Sequence, residues 1–247
     1  MCRLLGFCSK KSSTIPQLLG QDLDNFLALS QIHCDGWGYA HINHDATKAE
    51  NFREPIPAIN SDSLMQQISQ PTDGALLHFR WASKGLDIKE VNTHPFIYQD
   101  ITFIHNGSFA PFDVLAPDID DEFKKEIKGD TDSELYFYYL LTEIKKHGFL
   151  DGITSALRFI KANISHSSAN MMIMNKDYFV TACRYNQDRI PELFKKDADY
   201  YELRYKQTLD SVLVASSGWN QDGWMMLKND SLLVVDRSNQ VISTLTI

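Results

Sequence analysis

Residues 129–148 read "GDTDSELYFYYLLTEIKKHG", and they set the frame for the rest of the chain. Thr131 followed three positions later by Glu134 has the spacing of a capping box, so a helix is expected to start there. Lys145, Lys146 and His147 fall in its last turn, where the dipole favours cations, and Gly148 can stop it. A second helix, "DGITSALRFIKAN" (151–163), follows at once. On either side the text is strand-like. Upstream lie "CRLLGFCS" (2–9), "GWGYAHIN" (36–43), "AENFREPI" (49–56), "GALLHFRWAS" (74–83) and "DITFIHNGSF" (100–109). Downstream lie "ANMMIMN" (169–175), "YFVTACRY" (178–185), "SVLVASS" (211–217) and "SLLVVDRSNQVISTLTI" (231–247). Two further helical stretches, "PQLLGQDLDNFLALSQ" (16–31) and a short one around "SDSLMQQISQ" (61–70), carry apolar residues at helical spacing. Two consecutive helices flanked by many antiparallel-looking strands predict an α+β layer fold rather than a βαβ nucleotide binder. No glycine-rich phosphate loop and no Pro/Gly/Ser linker interrupts that pattern, so one domain over 1–247 is expected.

Composition narrows the function classes. The hydrophobic fraction of 43% supports a substantial core, and the 23% charged fraction argues against disorder. A net charge of −8 disfavours nucleic acid or an anionic membrane as partner. No apolar run approaches the ~18 residues of a membrane span, and no signal peptide is evident, so a cytoplasmic protein is expected. Four cysteines, Cys2, Cys8, Cys34 and Cys183, do not make a disulfide framework in a chain this long, and their spacing does not suggest a metal site.

Cys2 stands directly behind the initiator methionine. Removal of Met1 would place a thiol and a free α-amine on one residue, a nucleophile beside a general base. Free α-amines titrate near ~7.7–8.0 and free thiols near ~8.5, so such an amine can take a thiol's proton close to neutrality. Four more stretches carry chemistry. "DGWGYA" (35–40) brackets Trp37 with glycines and reads equally as a hairpin start. "HFRWAS" (78–83) sets Arg80 in an apolar strand, where its fork either snorkels outward or grips a carboxylate. "FIHNGSF" (103–109) is either a hairpin turn at Asn106-Gly107 or an oxyanion hole made of the Asn106 amide and the Gly107 N–H. Asp132 in "GDTDSE" sits in a helix first turn, where an ionised carboxylate is favoured and also suits an ammonium group.

Taken in order, Cys2, D-G-W-G, H-F-R-W-A-S, N-T-H-P-F, H-N-G and D-T-D-S-E resemble the class II glutamine amidotransferases, the cysteine members of the N-terminal nucleophile hydrolases. Further on, "VASSGWNQDGWMML" (214–227) resembles their stand-alone branch, which includes γ-glutamyl hydrolases. The resemblance implies a four-layer α/β/β/α sandwich of two antiparallel sheets, with no metal and no organic cofactor. It implies Cys2 as nucleophile in a mature chain starting there, with Asn106 and Gly107 as oxyanion hole. Arg80 would hold the α-carboxylate of a glutamine-like substrate and Asp132 its α-ammonium, with Trp81, Ser83 and His94 lining or supporting the pocket. The implied activity is cleavage of the γ-amide of glutamine or of a γ-glutamyl compound through a Cys2 thioester. Because the text ends on a strand at Ile247, a self-contained hydrolase is expected. A glutaminase subunit feeding ammonia to a separate synthase partner, or a non-catalytic amino-acid-binding relative, remain the alternatives. Two departures stand out: Cys34 in "HCDGWG", and Ser217-Gly218 in the Ser216-Ser217-Gly218 loop, where relatives often read Ser-Glu-Pro.

Overall fold

A computed structural model describes residues 2–247. Met1, and with it the expectation that this residue is removed, lies outside the described residues. The strands are β1 (Arg3–Ser13), β2 (Trp37–His41), β3 (Glu50–Glu54), β4 (Thr72–Phe79), β5 (Phe96–Tyr98), β6 (Ile101–Ala110) and β7 (Ser165–Met174). They continue with β8 (Tyr178–Cys183), β9 (Leu203–Gln207), β10 (Ser211–Ser216), β11 (Met225–Leu227), β12 (Ser231–Asp236) and β13 (Val241–Thr246). Short helices α1 (Ile15–Leu19), α2 (Leu23–Ala28), α3 (Leu64–Ile68) and α4 (Asp121–Lys124) precede the long pair α5 (Asp132–His147) and α6 (Phe149–Asn163).

The strands form two antiparallel sheets, ordered β11-β9-β10-β1-β4-β2-β3 and β13-β12-β8-β7-β6-β5. Strand alternation in β1 shows why they stack. Leu4 and Cys8 point into a core between the sheets, together with Leu76, Ile104, Met172 and Phe179. Leu5 and Phe7 point the other way, into a core shared with Phe26 of α2 and Leu64 and Ile68 of α3. The far face of the second sheet packs Phe103 and Ile173 against Tyr136, Phe137 and Leu157 of α5 and α6. Helices, sheet, sheet and helices follow one another, the α/β/β/α order expected. Gly6 lets the sheets meet closely, since a Cβ there would lie 2.7 Å from Phe179 and 2.8 Å from Leu76.

The α5 cap is partly as expected. Thr131 Oγ1 accepts the Glu134 N–H at 3.2 Å, but Glu134 does not reach back to close the box. Its carboxylate accepts the N–H groups of Lys128 and Gly129 instead, at 3.0 and 2.7 Å, and so shapes the turn before the helix. The stretch 16–31 is not one helix: Gly20, at φ 55°, breaks it into α1 and α2. The terminal stretch 231–247 is a hairpin, β12 and β13, turning through Arg237–Gln240. Strand β4 stops at Phe79, which releases Arg80 to Ser83 into the site.

Candidate active site

Cys2 is buried just ahead of β1, whose register sets Arg3 opposite Phe79, so the chain leaving β4 runs beside Cys2. The "DGWG" stretch opens the β2–β3 hairpin, as one reading had it, and also holds that exit. The Asp35 N–H donates to the Arg80 carbonyl (2.9 Å), the Arg80 N–H to the Gly36 carbonyl (2.8 Å), and the Ala82 N–H to Asp35 Oδ2 (2.8 Å). Gly36 sits at φ 132°, backbone that a side chain would strain.

From the facing sheet, β6 brings Asn106 and Gly107. This Asn-Gly pair is not a turn: it lies mid-strand, Asn106 opposite Asn170 and Gly107 opposite Ala169. The Cys2 backbone N–H donates to Asn106 Oδ1 at 2.7 Å, which fixes the amide and leaves Nδ2 as its donor end. A Cβ on residue 107 would run into the Ser168 carbonyl, so only glycine fits there. A bulge between Gly107 and Phe109 then turns the Phe109 N–H onto Asp132 Oδ2, 2.8 Å away.

Arg80 and Asp132 form the electrostatic frame. Arg80 is 3% exposed and Asp132 8%. Arg80 Nη1 donates to the Asp87 carbonyl at 3.2 Å, while Nη2 is buried with no partner among the described residues. Burial pulls its guanidinium below the usual value, and Cys2 and Asp35 oppose that pull; the group stays a cation. Burial likewise pushes the Asp132 carboxyl up, countered by the Phe109 and Ser133 N–H groups. Among the described residues the two do not form an ion pair. Two buried charges of opposite sign thus line one cleft without neutralising each other.

Three buried histidines support the floor. His78 Nε2 donates across the sheets to the His105 carbonyl at 3.2 Å. His105 Nε2 donates to the Ser168 carbonyl at 3.3 Å, so its Nδ1 accepts from Ser133 Oγ at 2.9 Å. Burial pushes both His78 and His105 down to about 3, and takes His94 well below the normal range. All three are neutral at pH 7. His94 stacks on His78 at 4.1 Å, and neither of its ring nitrogens has a partner among the described residues.

The structure brings the expected residues together. Cys2, Arg80, Trp81, Ser83, His94, Gly107 and Asp132 line one cleft, and Asn106 joins it through Cys2. The cleft is narrow, with about 20 Å³ of water-sized space, room for roughly one water. The largely exposed segment 83–88 borders the cleft and is held at the Asp87 carbonyl by Arg80 and by Asn92 Nδ2, both at 3.2 Å. Asn92 opens the N-T-H-P-F stretch but was given no role from sequence. It also bridges to Asp130 before α5, with its Nδ2 on Asp130 Oδ1 at 2.5 Å. Nor was Arg3, 4% exposed, whose Nη1 donates to the Tyr200 carbonyl at 2.9 Å and whose guanidinium lies 4.2 Å from the Tyr200 ring centre. A cation inside the apolar run after Cys2 was the available signal. Of the departures, Cys34 is half-buried and outside the cleft lining. Gly218 is at φ 129° and a Cβ there would meet Leu29 at 2.9 Å, so that loop is fixed by packing. Among the described residues no group of three or more His, Cys, Asp or Glu could hold a metal ion. No helix among them is long and apolar enough to cross a membrane.

Two stacked antiparallel sheets lie between helical layers, with a buried cysteine at the head of a central strand. Residues 1–241 match the family model described as class-II glutamine amidotransferases, and the chain belongs to that family. It is 25% identical over 267 residues to an uncharacterised protein of Methanocaldococcus jannaschii, covering 98% of this chain and 71% of that one. It is 31% identical over 170 residues to the "Probable glutamine amidotransferase DUG3" of Saccharomyces cerevisiae, covering 60% of this chain and 47% of the yeast protein. The chain thus spans about half of that relative. Among solved structures, a glutamine aminotransferase class-II domain protein from Silicibacter pomeroyi superposes with TM-score 0.67 at 17% identity over 99% of both chains. Glutamine phosphoribosylpyrophosphate amidotransferase from Bacillus subtilis gives 0.66 at 15% identity, covering 99% of this chain and 49% of that one.

Proposed function

We propose that the protein is an amidohydrolase that cleaves the γ-amide of glutamine or of a γ-glutamyl compound, with Cys2 as nucleophile once Met1 is removed. The observation that carries this reading is the unpaired Arg80–Asp132 frame beside Cys2. An α-amino acid is a zwitterion, and its carboxylate and ammonium match Arg80 Nη2 and the Asp132 carboxylate in sign. The Cys2 amine takes the thiol proton, and sulfur attacks the amide carbon. The oxygen of the tetrahedral adduct takes hydrogen bonds from Asn106 Nδ2 and the Gly107 N–H. The C–N bond breaks, the amine leaves with the proton returned by the Cys2 nitrogen, and a γ-glutamyl thioester remains. Water then attacks the thioester to release glutamate and regenerate the thiol.

Trp81, Ser83 and His94 act here as walls of the glutamate pocket. His94, neutral and with open ring nitrogens, is placed to accept or donate a hydrogen bond to a bound head group. The chain is taken as one glutamine amidotransferase domain over 1–247, cytoplasmic, with its four described cysteines free. A second reading, a glutaminase subunit delivering ammonia to a separate synthase, is favoured by the two relatives in which this chain matches only about half. The test is treatment with an electrophilic glutamine mimic followed by mass mapping and N-terminal mass analysis. A label on an N-terminal Cys2, and no activity in Cys2→Ala, is the expected result. Labelling of another thiol, or none, overturns the proposal.

A further inference from the structure

A second cavity, of about 280 Å³, adjoins the cleft and shares three of its walls, Trp81, Ala82 and Ser83. Trp81 lies against the nucleophile, its carbonyl 4.0 Å from Cys2 Sγ. Ser108, next to Gly107, also lines it, and neither Arg80 nor Asp132 does, so the cavity borders the segments that flank Cys2 without including the charged frame. If the glutamate head occupies the Arg80–Asp132 frame, this is where the other substituent of the amide nitrogen must go. The inference rests on the γ-glutamyl hydrolase reading above.

The lining of this cavity is not neutral. Lys84 and Arg189, both exposed, line it from separate segments, and neither has an ion-pair partner among the described residues. Deeper in, the Ser108 and Ser167 hydroxyls lie 2.9 Å apart. No acidic side chain lines the cavity, in a chain whose net charge is −8. We infer that this is the leaving-group subsite and that it selects amines carrying a carboxylate. Preferred substrates are then γ-glutamyl amino acids or peptides rather than glutamine or γ-glutamyl alkylamines. Arg189 supplies a planar fork for the carboxylate, Lys84 a mobile second charge, and the two serines suit a peptide-like amide or the α-position of the leaving amino acid.

The chemistry does not change with this assignment. The C–N bond that breaks releases a free amino acid instead of ammonia, protonated by the same nitrogen, and water still resolves the thioester.

The experiment compares γ-glutamylglycine, γ-glutamylethylamide and glutamine on the wild type and on K84A/R189A. The wild type is expected to favour γ-glutamylglycine over the ethylamide at least tenfold in kcat/KM, with a preference that shrinks as salt is raised. In K84A/R189A that ratio is expected to fall to near one while ethylamide hydrolysis stays within about twofold. Equal losses on both substrates, or a wild type with no preference, overturns the assignment. Calorimetry on Cys2→Ala separates this claim from the parent reading. If the wild type cleaves nothing but Cys2→Ala still binds γ-glutamylglycine more tightly than the ethylamide, hydrolysis fails and the subsite stands. Equal binding of the two ligands by Cys2→Ala removes the subsite.

Discussion

Asp132→Asn isolates one charge with little else disturbed. Asn keeps an oxygen to accept the Phe109 N–H at 2.8 Å, so the link between β6 and α5 survives. What is lost is a negative charge, 8% exposed, in a cleft with few competing waters. Removing one partner of a buried, hydrogen-bonded charge pair costs about 2–4 kcal/mol, or roughly 30- to 1,000-fold in kcat/KM. The loss is expected mainly in KM, because the ammonium is held alike in ground and transition states. The assay pairs glutamine with glutaramate, which lacks the α-amine. Wild type should strongly prefer glutamine, and Asp132→Asn should lose that preference while hydrolysing glutaramate almost unchanged. The pH profile supplies a second readout. Burial raises the Asp132 carboxyl, so its charge is lost while pH is still above the ordinary aspartate range, and glutamine KM rises there as pH falls. That limb should vanish in the variant. Equal losses on glutamine and glutaramate would show that Asp132 shapes the cleft without reading the ammonium, and the reasoning would be refuted.

Arg80→Lys keeps the charge but loses the fork that holds the Asp87 carbonyl and presents Nη2; kcat/KM should fall at least tenfold, and a Lys variant near wild type would contradict the bidentate role. Asn106→Ala should cost on the order of 10²–10³ in kcat, and Asn106→Asp, which keeps an acceptor for the Cys2 N–H but lacks the Nδ2 donor, should lose a similar factor in steady-state kinetics. Acid stability follows from His33, His78 and His105, each pushed by burial to about 3. Unfolding restores an ordinary imidazole near ~6.5, so between that value and about 3 these three residues alone bind up to three more protons in the unfolded chain, and His94 adds to them. Stability should be fully present above ~6.5 and fall as pH drops, by up to about 4 kcal/mol per pH unit mid-window from the three alone; denaturant titrations at stepped pH give the slope.

The architecture was legible because burial on both sheet faces writes a period of two into strands such as β1, and because α5 carries its own cap and stop signals. The pieces that were missed are those whose pattern is too short to register. Edge strands β5 and β11 have three residues each, and β9, "LRYKQ", alternates weakly. Site residues were legible as motifs, but their local structure was ambiguous. Asn106-Gly107 has the composition of a hairpin turn, and only the close approach of Ser168 explains its glycine in mid-strand. Arg80 could have faced water; that it is buried depends on the Asp35–Gly36 clamp 45 residues upstream. Asn92, though inside a quoted motif, and Arg3 were given no role because their partners, Asp87, Asp130 and Tyr200, meet them only after folding.

Holding Arg80 and Asp132 apart has a cost outside catalysis. Desolvated charges that do not satisfy one another weaken the fold that contains them. A molecule that satisfies both relieves this frustration, and at a hundred times its dissociation constant it adds about 2.7 kcal/mol to the stability of the folded chain. Melting temperature should therefore climb with the supply of a fitting metabolite. In a cell that clears unfolded chains, the amount of this protein would then rise and fall with the abundance of what it captures.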